Sequence, residues 1–245
     1  MVINVHGGHN RIVPGASGYL DEVTEDRAVT AQVIAKLRAL GHTVYDCTDD
    51  SGRTQGQNLA NIVHACNAHA ADLDVSIHLN SGGGTGTEVL VYSDTGEAAG
   101  YAVKICAAIS ELGYRNRGVK ERKNLYVLRR TTAPALLVEC CFVDSAADAQ
   151  RFDADKMAAA IVRGITGQTA AQTGAAPAQQ IGYHVRITAS VLNVRRDHSA
   201  SSAVATQVRK GEVYTIVDEY NNGGTLWGKL KSGAGWIALK YTQSV

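Results

Sequence analysis

The chain has no run of apolar residues approaching the ~20 that a membrane-spanning helix needs, so no bilayer insertion is expected. It has no Cys-x-x-Cys pair, and its cysteine spacing therefore supports no structural metal site. It has no excess of either charge. Lys and Arg number 24 against 23 Asp and Glu, a formal net charge of +1, so nothing calls for a nucleic-acid partner. The amino terminus, Met1-Val2-Ile3-Asn4-Val5, lacks a basic segment and a long apolar run. No signal peptide is expected there, and synthesis in the cytoplasm follows. The five cysteines (Cys47, Cys66, Cys106, Cys140 and Cys141) are odd in number and lie mostly in apolar stretches. That is the pattern of buried free thiols from a reducing compartment, not of a disulfide framework.

What is present is an ordinary globular balance: 245 residues, 45% hydrophobic and 19% charged. This suits one domain, or a large one joined to a small one. A domain of about 150 residues buries roughly 70% of the surface its unfolded chain exposes, enough for a sound core. Residues 167–180 carry no charge and no large apolar side chain, so they cannot build a core and read as a linker. The chain is thereby cut into residues 1–166 and 181–245. The second part holds 8 Lys and Arg against 4 Asp and Glu, a net +4 that favours an anionic polymer or is ordinary surface charge.

The first part alternates strand and helix patterns. Strands are predicted at Val2–Val5, Thr43–Cys47, Leu73–Asn80, Thr87–Tyr92, Leu125–Leu128 and Ala135–Cys140. A helix is predicted after Thr24 as its cap, with Val29, Val33, Leu37 and Leu40 on one face and Gly41 as its stop. Further helices are predicted over 57–70, 97–112 and 147–165. Such alternation predicts an α/β fold: a mostly parallel sheet with helices on both faces. The second part has short apolar runs at 192–194, 213–217, 226–230 and 236–239, separated by turn signals such as Asn221-Asn222-Gly223-Gly224. It predicts a small all-β barrel.

Four residues stand out chemically: His9, Glu22, His78 and Glu139. Two imidazoles and a carboxylate can hold a zinc ion with one position open, and a second carboxylate on the rim can move a proton. Working residues of open α/β sheets gather beyond the carboxyl ends of the strands. His9 follows the first strand, His78 ends the third, Glu139 ends the last, and Glu22 precedes the first helix. Alternation places Val75, Ile77 and Leu79 on one face and His78 with Asn80 on the other. Glu139 lies between Leu136-Leu137-Val138 and Cys140-Cys141-Phe142. A carboxylate in such a run is costly unless it faces a cation or a wet cleft, so a buried ion pair and a catalytic role both fit.

Motifs at these positions resemble the zinc-dependent N-acetylmuramoyl-L-alanine amidases of the Amidase_3 family. The matching pieces are Gly8-His9, Gly15-Ala16 and Glu22; Ser76-Ile77-His78-Leu79-Asn80; Leu125-Tyr126-Val127-Leu128-Arg129; and Pro134 through Phe142. They run in order over roughly residues 2–165. The resemblance implies one Zn2+ held by His9, Glu22 and His78, with Glu139 taking a proton from water and delivering one to the leaving amine. The bond cleaved would join the lactyl group of N-acetylmuramic acid to L-alanine. His6 competes with His9, but the spacing to Gly15-Ala16 fits the family from His9. Asn80 and Arg129 are candidate substrate contacts. The basic residues from Arg115 to Arg130 either meet stem-peptide carboxylates or form a solvated loop. The Cys140-Cys141 pair is either oxidation-sensitive or simply packed. The remaining histidines are expected in surface or packing roles.

Residues 185–241 resemble bacterial SH3-like wall modules, through Leu192-Asn193-Val194-Arg195, Lys210-Gly211-Glu212, Trp227-Gly228-Lys229-Leu230 and Gly235-Trp236-Ile237. That resemblance implies peptidoglycan as the partner. Tyr220, Trp227, Trp236 and Tyr241 are candidates for an aromatic groove, with Trp236 alternatively filling the core. Together these features suit a phage endolysin released through a holin pore onto the wall of a Gram-positive host. A bacterial autolysin, a zinc carboxypeptidase and a non-catalytic wall-binding protein are the alternatives.

Overall fold

A computed structural model describes residues 1–168, 183–196, 198–200, 202–222 and 225–244, without the side chains of 218–222 and 244. The chain divides into two compact units, Met1–Gln172 and Thr173–Val245. From residue 169 onward, the linker expected at 167–180 lies outside the described residues.

The first unit runs β1 (Val2–Gly7), α1 (Glu22–Ala39), β2 (Thr43–Asp46), α2 (Gln55–Asn67), β3 (Leu73–Asn80), β4 (Thr87–Val91), α3 (Glu97–Ser110), β5 (Asn116–Glu121), α4 (Tyr126–Arg130), β6 (Ala135–Phe142), α5 (Ala146–Arg151) and α6 (Ala154–Thr166). The six strands form one sheet in the order β2-β1-β3-β6-β4-β5. Every neighbouring pair is parallel except β4 and β6. The predicted α/β architecture is therefore present, with the last two strands of the sheet, β4 and β5, running opposite to the other four.

Two apolar layers enclose the sheet. The larger joins α1, α3 and α6 to Ile3, Val5, Val75, Ile77, Leu79 and Val138. The smaller joins α2 and α4 to Leu90, Ala135 and Leu137 on the other face. Strand alternation explains the split, since neighbouring residues of a strand point to opposite faces. The smaller layer stops short. Along β6 it takes Ala135 and Leu137, and the next residue on that face is Glu139. The carboxyl half of this face is thus left for polar groups.

Several local expectations are corrected. Asp21, not Thr24, caps α1: its carboxylate accepts from the Thr24 N–H at 2.9 Å and the Thr24 hydroxyl at 2.6 Å. Asp ranks above Thr as a cap, and this shift makes Glu22 the first helical residue. The single helix expected at 147–165 is two. Phe152 is extended, and Asp153 starts α6 by accepting from the N–H groups of Asp155 and Lys156. Leu125–Leu128 is not a strand; α4 begins at Tyr126 and buries Val127 and Leu128. The basic stretch from Arg115 to Arg130, read either as a contact for stem-peptide carboxylates or as a solvated loop, contains β5, an edge strand, where charged residues are tolerated and deter pairing with other chains.

The second unit consists of β7 (Tyr183–Ile187), β8 (Val191–Arg195), β9 (Val204–Arg209), β10 (Val213–Asn222), β11 (Thr225–Leu230), β12 (Trp236–Ala238), a 3-10 turn at Leu239–Tyr241 and β13 (Thr242–Ser244). All its pairs are antiparallel, in the order β13-β7-β10-β11-β12-β8-β9. Val185, Ile187, Leu192, Val194, Ile216 and Ile237 form its core. The expectation for Trp236 is corrected: Trp227 is the tryptophan buried at 5% exposure, while Trp236 is half-buried under Lys229 and beside His198. Among the described residues no helix is long and apolar enough to cross a membrane.

Candidate metal centre

The cluster is built by three elements meeting at the carboxyl edge of β1, β3 and β6. His9 lies in the loop after β1, Glu22 opens α1, and His78 is the sixth residue of β3. One ligand-capable atom from each lies within 4.8 Å of the other two. Glu22 is the hub. Its Oε1 is 3.0 Å from His78 Nδ1 and 3.7 Å from His9 Nε2, and it accepts from the Leu79 N–H at 3.2 Å. Its Oε2 accepts from the Ala16 N–H at 2.7 Å. His6 is buried inside β1, facing the Ser76 hydroxyl and the Gly7 carbonyl, and is not part of the cluster.

The glycines of the first motif shape this cradle. A Cβ on Gly8 would overlap the His78 ring, coming 2.5 Å from Nδ1. A Cβ on Gly15 would lie 2.7 Å from both Glu22 Cδ and His9 Cδ2. His9 itself has φ of 49°, the one left-handed non-glycine backbone among the described residues. Such a conformation costs on the order of 1–3 kcal/mol and persists only where the surroundings enforce it.

The electrostatics follow from burial and proximity. Burial and His78 hold the His9 imidazole below its ordinary range, which favours the neutral, lone-pair form. Burial would lower His78 too, but the hydrogen bond to Glu22 and the charges of Glu139 and Glu22 outweigh it and raise its pKa. Burial works to raise Glu22, yet the His78 hydrogen bond and charge, the Ala16 N–H and His9 bring it below the usual carboxylate range. His6 is pushed down to about 3, chiefly by burial, and stays neutral.

Glu139 lies one strand over. In register, His78 faces Glu139 on β6, and Glu139 faces Glu88 on β4. Strands spaced about 4.8 Å apart put these three side chains in a row. Glu139 is half-buried, and its Oε2 has no hydrogen-bond partner. Burial pushes its carboxyl up to about 7, with His78 opposing and Glu22 and Glu88 adding. Asn80 donates to Glu88 Oε1 at 3.1 Å, and Arg117 Nε donates to Glu88 Oε2 at 2.8 Å while lying 4.9 Å from the Phe142 ring centre. Asn80 therefore borders the row. Arg129 does not: it lines a cavity of about 380 Å3 with Tyr92, Pro134 and Ala135, beyond the amino end of β6. The rise along β6 separates that end from Glu139 by roughly 13 Å. Cys140 and Cys141 are fully buried free thiols whose pKa burial raises, so they pack and do not face the row.

The rim between β3 and β4 is a glycine-rich turn, Ser81–Gly86, hung on two aspartates. Asp144 Oδ2 accepts from the Gly82 and Gly83 N–H groups, each at 2.8 Å. Asp148 Oδ2 accepts from the Gly86 N–H at 2.7 Å. Sequence reasoning missed this rim, and also Glu88 and Arg27, because each is charged or small in a segment with no motif; Arg117, noted only as part of the basic stretch, pairs with Glu88.

In the second unit, a cavity of about 660 Å3 is lined by Asn193, Arg195, Trp227, Lys240 and Tyr241, among others. Trp227 therefore borders an opening although little of it is exposed. Tyr220 pairs with Trp227 across β10 and β11, but its side chain lies outside the described residues.

Comparison with known proteins agrees with this geometry. The model of the Amidase_3 family, N-acetylmuramoyl-L-alanine amidase, matches residues 1–167, and that of the bacterial SH3 domain matches 190–243. An uncharacterised protein of Clostridium perfringens is 38% identical over 154 residues, 60% of this chain; the chain spans 45% of that relative's length. The sporulation-specific N-acetylmuramoyl-L-alanine amidase of Bacillus subtilis is 31% identical over 209 residues, covering 83% of this chain and 80% of that protein. The solved catalytic domain of the CD27L endolysin targeting Clostridia difficile superposes with a TM-score of 0.65 at 26% identity, over 69% of this chain and 98% of that one. With two thirds of its length under one family model, the chain belongs to the Amidase_3 family of N-acetylmuramoyl-L-alanine amidases and carries a bacterial SH3 domain later in the sequence.

Proposed function

We propose that this protein is a zinc-dependent peptidoglycan amidase that cuts between the lactyl group of N-acetylmuramic acid and L-alanine of the stem peptide. The observation that carries this reading is the convergence of His9, Glu22 and His78 beside a carboxylate with an unpartnered oxygen. The donor set fits zinc: two imidazoles and one carboxylate are a common three-protein-ligand combination of hydrolytic zinc sites. The cradle fits as well, because Cβ atoms at Gly8 and Gly15 would crowd out the donors. A zinc ion held there supplies Lewis acidity, which acidifies water and polarises a carbonyl.

The remaining work falls to this chain's own side chains. Glu139 takes the proton of the attacking water and returns one to the leaving amine of L-alanine. A base whose pKa burial has brought to about 7 can do both at neutral pH. Glu22 fixes the His78 ring through Nδ1 and is fixed in turn by the Ala16 and Leu79 N–H groups. Asn80 is a proposed substrate contact at the end of the same strand face.

The SH3 domain supplies the wall contact. Trp227, Tyr241, Arg195 and Lys240 line one opening, and this combination of aromatic and cationic side chains suits an acidic peptide. Likeness to an endolysin catalytic domain supports a phage lytic enzyme, delivered through a holin pore and useful as an antimicrobial. Likeness to a sporulation-specific amidase supports the second reading, a bacterial autolysin of the same chemistry. Glu139→Gln is expected to retain stoichiometric zinc and lose turnover by about 100-fold or more, while His78→Ala loses both. Zinc content by atomic absorption and mass analysis of released stem peptides check this. Undiminished turnover by the Glu139→Gln protein refutes the role of Glu139. Products bearing a freed C-terminal residue would instead identify a carboxypeptidase, and no product at all from the parent would leave only a wall binder.

A further inference from the structure

We infer that Arg27 is a positioning residue for His9, holding the left-handed loop backbone that presents this imidazole to the metal; the inference rests on the metal-site reading above. The carbonyls on either side of the bend both accept from one guanidinium. Arg27 Nη1 donates to the Gly8 carbonyl at 2.8 Å, and Nη2 to the His9 carbonyl at 2.7 Å. The same group is anchored from behind. Nη1 reaches Asp26 Oδ1 at 2.7 Å, and Nη2 reaches Asp50 Oδ1 at 2.7 Å. Asp26 is fully buried and Asp50 is exposed, so the guanidinium is stretched between an inner and an outer carboxylate.

The surrounding sequence is shaped to this fork. A Cβ at Gly7 would overlap Arg27 Nη1 and come 3.0 Å from Asp26 Oδ1, so the bare Gly7 leaves the guanidinium its passage. A planar group with donors in fixed directions can bridge two successive carbonyls and two carboxylates at once; a lysine ammonium cannot. Arg27 also stands five residues after Glu22 on α1. One helix therefore carries one proposed ligand and the anchor of a second, and the two are set relative to each other through it.

The loop does not depend on Arg27 for its fold as a whole. Asn10 ties it independently: Nδ2 donates to the Gly52 carbonyl at 2.9 Å, and Oδ1 accepts from the Ile12 and Val13 N–H groups. Loss of the fork should therefore release the His9 backbone locally without unfolding the unit.

The test uses the full chain, Co2+ as the metal probe, competition with a chromophoric chelator and the visible spectrum of the bound ion. Arg27→Lys keeps a cation beside Asp26 but not the fork. It is expected to bind Co2+ about 10- to 100-fold more weakly, the range seen when supports of metal ligands are removed, with an altered spectrum. The melting temperature of its metal-free form should stay within about 2 °C of the parent. In a His9→Ala background, Arg27→Lys should cause no further loss. Asp50→Asn, at an exposed position, removes the outer anchor and should weaken Co2+ binding about threefold, again only when His9 is present. Unchanged affinity in both variants, or a loss that persists in full without His9, overturns the inference. So does a metal-free melting temperature that falls as far as the metal-bound one. Parent affinity in His9→Ala alone would instead overturn the metal-site reading on which the inference stands.

Discussion

Gly8→Ala adds one methyl group at the tightest point of the metal centre. The Gly8 N–H donates to the Ile77 carbonyl at 2.9 Å, so the backbone at this point is fixed against β3. The added Cβ would lie 2.5 Å from His78 Nδ1, where ordinary contact begins at about 3.4 Å. Something must move by at least about 0.9 Å, and the imidazole is the looser side. Metal–ligand bonds tolerate deviations of about 0.2 Å. The displacement also breaks the 3.0 Å bond from His78 to Glu22, so two of the three donors are disturbed by one methyl. Zinc affinity should fall at least about 100-fold, measured by chelator competition. The fitting control is Gly100→Ala, at an exposed position in α3 where a Cβ meets nothing within 4 Å. That change should leave zinc affinity unaltered and stabilise the protein by about 0.5–1 kcal/mol. Parent zinc affinity in Gly8→Ala would refute the claim that this glycine makes room for a ligand.

Asp74 is buried, and burial lifts its carboxyl to about 6 from the ordinary 3.8. The folded protein then keeps a proton that the unfolded chain releases, so this group's contribution is full below about pH 4 and lost as pH rises through about 6. Asp74→Asn should therefore gain on the parent by about 2–3 kcal/mol between pH 4 and pH 7 in urea denaturation, and a pH-independent difference would contradict the assignment. Removing the chain after about residue 170 should spare cleavage of soluble fragments but slow lysis of whole walls, because tethering supplies an effective concentration of order mM; equal loss on both substrates would argue against separate roles for the two units. A Cβ at Gly164 would come 2.6 Å from Ile105 Cα, so Gly164→Ala should force α6 off α3 and destabilise the protein by about 1–3 kcal/mol, whereas an unchanged thermal midpoint would mean that the helices part freely.

The parts of the fold that were legible in the sequence are those whose residues answer to one local rule. Alternation along Val75–Asn80 assigned both faces of β3 correctly, because the side-chain period of a strand is strict. Leu125–Leu128 was misread because a four-residue apolar run fits a buried strand or a helical turn equally well; only packing against Leu90 and Leu137 decides it. The break at Phe152 carries no Gly or Pro, and the competing signal is the Asp153 cap alone. Strand β5 was hidden by its charges, and β9 by burying only Val208. At the site, His9, Glu22 and His78 come together at one sheet edge, and Glu139 lies opposite His78 on the next strand. Arg129 was displaced to the opposite end because the segment before β6 turns back at the amino edge. Arg27 gave no signal, since an arginine within the mixed charges of an amphipathic helix looks like solvent-facing surface until the loop it grips is seen.

The reversal of β4 sends the chain back over the working edge through a turn made mostly of glycine, and those glycines hang from Asp144 and Asp148. A wall built of main chain carries few side chains of its own, and on the proposed function that would leave room for branches of a polymeric substrate. Its height is set outside the turn, by two carboxylates in the segment that follows β6. Lengthening or swapping residues within the turn would therefore remodel access only so far as those two anchors still hold.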